Sequence, residues 1–188
     1  MIRLIKNILF IFIFFFIVSC DQSSKSQTSS NKLLDIKVFS SLTCPHCADF
    51  HEKIFKGLEQ DFISKGLVNF EHKSFPLDMA ALNAEKILRC DGNVELNTQL
   101  LSEIYKKQNE WAVGSDINKI NESIKKIGIN FGLSNAQMDK CLLDKKLEDK
   151  ILDERVDAQK NYKISSTPTI YINKKKYEGK RNYKAFKK

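Results

Sequence analysis

Hydrophobic and polar positions divide the chain into stretches of different character. Met1 to Asn7 carries Arg3 and Lys6 and no acid, and Ile8 to Val18 is an unbroken apolar run of eleven residues. That run is short for a membrane span, which takes about 20 residues. A basic start followed by such a run predicts a signal peptide over 1–19. Residues 20–31 are polar and serine-rich without periodicity, which predicts a flexible tether. Order is expected from Lys32. Leu34 to Ser40 reads as a strand. Pro45 to about Ser64 reads as a helix with proline in its first turn and Phe50, Ile54, Leu58 and Phe62 at intervals of four. Gly66 ends it, and Val68 to Phe75 alternates as a second strand.

From Leu77 to Tyr162 the pattern is helical throughout. Asp78 is placed to cap a helix carrying Ala81, Ala84, Ile87 and Leu88. A second helix carries Leu96, Leu100 and Ile104 and extends to Trp111. Ser115 is the expected cap of a third, with Ile117, Ile120, Ile124 and Ile127. Ser134 to Gln137 fits a capping box ahead of Met138, Cys141 and Leu142, and a long segment then runs to Tyr162. Thr169 to Ile172 and Lys175 to Tyr177 read as two strands turning at Asn173 and Lys174. Arg181 to Lys188 leaves about two helical turns. The order β-α-β, helices, β-β, α predicts an α/β core over 32–75 and 164–188 with a helical insertion over 76–163.

Composition and charge add a compartment. The 188 residues, 42% hydrophobic, suit one domain of ordinary size. The formal charge of +8 falls to +6 without Arg3 and Lys6. Lysines scattered through helices read as a solvated face, and with an export signal they do not point to nucleic acid; weak attraction to an anionic membrane is compatible. Ile17-Val18-Ser19-Cys20 resembles the lipobox of bacterial lipoproteins, with Cys20 lipidated, and Asp21 resembles an inner-membrane retention signal. The alternatives are an ordinary signal peptide with Cys20 incidental, or an uncleaved anchor. Setting Cys20 aside from the five cysteines leaves Cys44, Cys47, Cys90 and Cys141, an even number that an oxidising compartment can pair.

The chemistry centres on Cys44-Pro45-His46-Cys47, between a predicted strand and a predicted helix. A cysteine thiolate, not the thiol, is the nucleophile. A helix start offers Cys44 free N–H groups and the positive end of the helix dipole. His46 adds a charge or a donated hydrogen bond, and Pro45 tightens the turn so that Cys47 faces Cys44. Cys44 is expected to be the exposed nucleophile and Cys47 the buried resolving thiol. Stabilising the Cys44 thiolate stabilises the reduced form and makes the disulfide a stronger oxidant. Far downstream, Thr167-Pro168 opens a strand where a cis peptide would bring backbone beside the cysteines.

This motif, the distant Thr167-Pro168 pair and the helical block between them resemble the DsbA family of thiol:disulfide oxidoreductases, and the longer string Ser41 to His51 is similar to the DsbA-like proteins of alphaproteobacteria. The resemblance implies a thioredoxin fold with an inserted helical domain, a cis Pro168, and a Thr167 that touches the active-site sulfurs and bound substrate. It also implies oxidation of thiols in exported proteins, reoxidation by a DsbB-like membrane partner, and no separate cofactor. A periplasmic monomer anchored to the inner membrane follows, in which Cys44 and Cys47 exchange disulfides with substrates. The same fold also carries reductases and isomerases, and a non-enzymatic copper or zinc module is the alternative from another class. Zinc needs four ligands, whereas His51 and His72 stand isolated in the sequence.

Cys90 and Cys141 lie in different predicted helices. The oxidising compartment favours a structural disulfide between them, which related alphaproteobacterial proteins are known to carry; two free core cysteines are the alternative. His51 reads as a partly buried polar residue. Two departures from the family stand out. Val38 occupies the place where many thioredoxin-fold enzymes keep a buried acid, with Lys37 beside it, and the C-terminal helix is short.

Overall fold

The structure, a computed structural model, describes residues 33–187. The expected signal peptide, the expected tether with Cys20 and the expected start at Lys32 lie outside the described residues. Four strands form one sheet in the order β2-β1-β3-β4: β1 (Leu34–Ser40), β2 (Val68–Ser74), β3 (Thr169–Ile172) and β4 (Lys175–Lys176). β2 runs parallel to β1 in a register that pairs Val38 with His72 and Ser40 with Ser74. β3 lies antiparallel to β1, and β4 antiparallel to β3. The last two strands turn at Asn173 and Lys174, both at positive φ, as a tight hairpin requires. β2 stops one residue short of Phe75, whose N–H still donates to the Ser40 carbonyl at 2.8 Å.

Helix α1 covers residues 45–63 and is not uniformly α-helical. α-helical turns at Pro45–Phe50 and Lys56–Leu58 alternate with π-helical turns at His51–Phe55 and Glu59–Ile63. This explains the interval of four. On an α-helix of 3.6 residues per turn such a stripe drifts by about 40° at each step, and the wider π turns take the drift back. Phe50, Ile54 and Leu58 therefore all stay buried beneath the sheet with Ile36, Val38 and Ile170.

The helical insertion comprises α2 (Met79–Leu88), α3 (Val94–Lys106), α4 (Gln108–Trp111), α5 (Ile117–Asn130), α6 (Asn135–Leu143) and α7 (Lys145–Asn161). Asp78 caps α2 and Ser134 caps α6 as expected. α5 is capped by Asp116 and not by Ser115, its carboxylate accepting from the N–H groups of Asn118 and Lys119. A carboxylate there also meets the positive end of the helix dipole. The helix expected to reach Trp111 ends at Lys106, and α4 restarts at Gln108 so that the Trp111 indole donates back to the Ile104 carbonyl at 2.9 Å. α7 covers the other face of the sheet, where Phe39, Phe75, Ala158 and Ile164 pack. Ile164 and Ile170 are thus both core residues.

The closing helix α8 (Tyr183–Phe186) is a single turn, yet aromatic side chains complete the packing. Phe186 lies 4.4 Å from the Tyr177 ring and 6.2 Å from Phe50. Tyr183 donates to Asp61 and lies against Gly57, where a Cβ would sit 2.7 Å from the ring.

Candidate active site

β1 delivers the chain into a turn in which Cys44 N–H donates to the Ser41 carbonyl at 3.1 Å. Cys44 then takes the N-cap position of α1, with extended backbone, and Pro45 occupies the first helical position. The turn is held from the insertion. The Gln108 amide donates to the carbonyls of both Leu42 (2.7 Å) and Cys44 (3.1 Å). Thr43 donates to Asp78 at 2.8 Å, and the Leu77 N–H to Ser41 Oγ at 3.3 Å.

Cys44 and Cys47 are both free thiols. Cys44 is 8% exposed and Cys47 1%, so the expected order holds, but Cys44 is itself largely covered. Pro45 and His46 are exposed. The Thr167–Pro168 peptide is cis and sets the Thr167 carbonyl 3.5 Å from Cys44 Sγ, accepting from the thiol. The Thr167 hydroxyl is buried with no oxygen or nitrogen partner among the described residues.

These contacts separate the two sulfurs. Cys44 is lowered to about 5, first by the hydrogen bond from Cys47, then by Thr167 and the backbone N–H groups of Cys47 and His46, against an opposing effect of burial. Cys47 is pushed far up by its neighbour Cys44 and by burial. Of the two roles the sequence offered His46, a charge or a donated hydrogen bond, it is a hydrogen bond from its peptide N–H that lowers Cys44. Beside the pair lies a cavity of about 210 Å³ lined by His46, Phe50, Ile54, Pro168 and Arg181.

Cys90, just beyond α2, and Cys141 of α6 are joined by a disulfide with Cα atoms 5.7 Å apart. It ties the end of α2 to α6. His51 is more buried than expected, at 2% exposure. It stacks on Phe55 at 4.2 Å, bonds Ser102 Oγ at 2.8 Å, and is lowered to about 3 by burial first and then by the charges of His72 and Lys56. His72, isolated in the sequence, pairs with the buried Glu85 at 2.7 Å. Among the described residues, no three or more His, Cys, Asp or Glu side chains gather as a metal site, and no helix is long and apolar enough to cross a membrane.

Gln108, Tyr105 and Glu85 were not singled out by the sequence. Gln108 sits in a polar run, Lys106 to Glu110, with no signal of its own. Glu85 carried a faint one, as an acid amid the small and apolar residues of α2.

A protein of Rickettsia bellii with the provisional name protein-disulfide oxidoreductase is 29% identical over 143 residues, 76% of this chain and 54% of the relative. Disulfide bond formation protein D of Bacillus subtilis is 26% identical over 144 residues, 73% of this chain and 62% of its own. The chain thus spans about half the length of the first of these relatives. Among solved structures, alpha-DsbA1 of Wolbachia pipientis superposes with a TM-score of 0.75 at 24% identity, covering 82% of each chain. A protein-disulfide isomerase from Novosphingobium aromaticivorans gives 0.71 at 20% identity, covering 82% of this chain and 88% of its own. The fold is the thioredoxin fold with an inserted helical domain seen in DsbA structures. The thioredoxin family model matches residues 30–188, and the chain belongs to the thioredoxin family.

Proposed function

We propose that this protein is a thiol:disulfide oxidase of the cell envelope, which donates a Cys44–Cys47 disulfide to exported proteins. The observation that carries this reading is the contrast between the two sulfurs, one lowered to about 5 and the other pushed far up. A substrate thiolate attacks Cys44, and the Cys44–Cys47 bond breaks with its electron pair going to Cys47. The substrate's second thiolate then attacks the substrate sulfur of the mixed disulfide and expels Cys44. A thiolate as stable as Cys44 is a good leaving group at that step, and its stability favours the reduced enzyme, so transfer to substrate runs downhill.

Thr167 and Pro168 are assigned to substrate binding, where backbone freed at the strand end pairs with an extended peptide. A DsbB-like membrane protein is the proposed reoxidant, and Cys20 the proposed lipid anchor to the periplasmic face of the inner membrane. The domain division at 76–163 belongs to the same proposal. The test is the equilibrium redox potential of the Cys44–Cys47 pair in glutathione buffers, with Cys90 and Cys141 followed separately. A pair more oxidising than glutathione supports the oxidase. A potential near thioredoxin's, about −270 mV, makes the protein a reductase instead.

A further inference from the structure

The positive charge of this chain is not spread along it. Residues 174–188 hold eight of the 31 basic side chains and one acid, Glu178, so that fifteen residues carry +7 of the formal +8. Residues 1–173 share the remaining +1, and without Arg3 and Lys6 they come to −1. Lysines of the helices form a solvated face of paired charges, as in Lys56 with Glu52 at 2.6 Å and Lys125 with Asp139 at 2.8 Å. The C-terminal cluster is different. Within it Lys187 meets Asp61 at 2.9 Å and Lys176 meets Glu178 at 3.9 Å. Lys174, Lys175, Lys180, Arg181 and Lys184 are exposed and have no ion partner among the described residues.

The fold gathers these charges on one edge. β4 ends the strand order β2-β1-β3-β4 and is an edge strand; it consists of Lys175 and Lys176. Beyond it Tyr177 folds the chain back. Its hydroxyl donates to the Lys180 carbonyl at 3.0 Å, and its ring lies against Phe186 of α8. Gly179 admits that ring, since a Cβ there would sit 2.5 Å from it. The Asn182 side chain then starts α8 by accepting from the Ala185 N–H at 3.0 Å. Residues 175–187 are thus a compact flap, with its aromatic rings half-buried and its basic side chains exposed.

Both ends of this edge have a definite place. At one end the chain enters the described fold: the Asp35 N–H donates to Asn173 Oδ1 at 3.0 Å, and the Asn173 N–H to the Asp35 carbonyl at 2.9 Å. At the other end Arg181 lines the cavity beside the thiol pair, with His46 and Pro168. Lysine on an edge strand also blocks pairing with a second chain, which explains Lys175 and Lys176 but not Lys180, Arg181 and Lys184 beyond the strand. Nor does the cluster suit a protein partner. Protein–protein interfaces are enriched in arginine and depleted in lysine, whereas seven of these eight basic residues are lysine. Lysine is a hydrated point charge on a flexible stem, which fits a diffuse field of negative charge better than a shaped site.

We propose that this edge, from Lys174 to Lys187, is a docking surface for an anionic lipid bilayer. Each basic residue close to such a surface strengthens binding about fivefold, and several act together. Residues 1–32 lead into the domain beside Lys174, so an anchor among them tethers the domain at this edge. With the proposed lipid on Cys20, a flexible tether over 20–31 spans about 20 Å. Docked along the edge, the domain holds its Arg181 end, and with it the cavity of the thiol pair, against the bilayer. A membrane-embedded reoxidant is then within reach. The docking goes beyond the oxidase reading and does not need it: a Cys44–Cys47 potential near thioredoxin's would overturn the oxidase and leave the docking standing.

The test is lysine acetylation of the full chain on vesicles, read residue by residue by mass spectrometry. Vesicles of phosphatidylcholine alone are compared with vesicles that also contain phosphatidylglycerol. On the anionic vesicles at low salt, labelling of Lys175, Lys180 and Lys184 should fall at least about threefold, and about 0.5 M salt should abolish the difference. Labelling of Lys119 on α5 should not change. The variant Lys175→Gln/Lys176→Gln/Lys180→Gln/Lys184→Gln should lose at least about a hundredfold of its preference for anionic over neutral vesicles in sedimentation. Wild type and variant share residues 1–32, so an anchor there cannot produce that difference, and the labelling of wild type needs no variant to fold. Equal labelling on the two kinds of vesicle overturns the proposal, as does an anionic preference that the variant keeps. Protection of these lysines by soluble polyglutamate but not by anionic vesicles also overturns it, and puts an acidic protein in the bilayer's place.

Discussion

The Thr167 carbonyl lies 3.5 Å from Cys44 Sγ, across 123 residues of sequence. The same residue buries its hydroxyl beside the pair with no oxygen or nitrogen partner among the described residues. Valine has threonine's shape without the hydroxyl. Thr167→Val should therefore raise Cys44 toward the ordinary cysteine range by about tenfold in its ionisation constant, or about 1.4 kcal/mol. His46→Ala should move it less, because His46 contributes through its backbone N–H, which alanine keeps. Ultraviolet thiolate titration of both variants checks the order; a larger effect from His46→Ala would show that the ring matters more than the peptide.

Cys44 near 5 fixes a pH window. Its alkylation by iodoacetamide should rise through pH 5 and level off by about pH 7, with Cys47 unreactive throughout. Stability follows the same group. The folded value lies below the unfolded one of about 8.5, so the reduced protein gains stability as pH rises from about 5 to about 8.5 and loses it as pH falls through 5. Above about 8.5 the raised Cys47 works the other way, because the unfolded chain ionises it and the folded one does not. Urea midpoints of reduced and oxidised protein should differ most in the reduced form's favour near pH 8, the oxidised form having no free thiol in the pair.

The Cys90–Cys141 bridge closes a loop of 51 residues. Loop-closure entropy puts its contribution at about 4 kcal/mol, with native strain and residual unfolded structure able to reduce that. The double variant Cys90→Ala/Cys141→Ala should lower the denaturant midpoint accordingly while leaving Cys44 alkylation unchanged, since the bridge touches neither active-site sulfur. A shift in Cys44 reactivity would mean that the insertion tunes the thiol pair through this bridge.

The parts of the fold legible in the sequence were those written in local pattern. Leu34–Ser40 and Thr169–Ile172 follow from apolar β-branched runs bounded by polar turns, and the caps at Asp78 and Ser134 from single side chains. The motif itself was legible because proline and two cysteines at that spacing allow few structures. What stayed hidden depends on long-range packing. No periodicity says that Gln108 turns inward to two loop carbonyls, or that His72 finds a partner 13 residues on. The π turns of α1 were hidden for another reason: an interval of four fits an α-helix well enough over one step and fails only when summed over three.

His51 gives the last prediction. Its Nε2 meets Ser102 Oγ at 2.8 Å, and that hydroxyl already donates to the Thr98 carbonyl at 3.1 Å, so the ring N–H is the donor; burial favours the neutral imidazole. With its folded value near 3 against an unfolded value of about 6.5, the unfolded chain takes up a proton that the folded chain refuses. Stability is therefore complete above about pH 6.5 and declines as pH falls toward 3. Between pH 6 and 4 this one group should cost up to about 1.4 kcal/mol per pH unit. His51→Gln keeps an N–H for Ser102 and cannot titrate. It should be less stable than wild type at pH 7, for want of the ring stacked between Phe55 and Tyr105, yet its stability should fall less steeply in acid. Denaturant midpoints for the two proteins at pH 7, 6, 5 and 4 test this, and parallel slopes would mean that some other buried group carries the acid sensitivity of the fold.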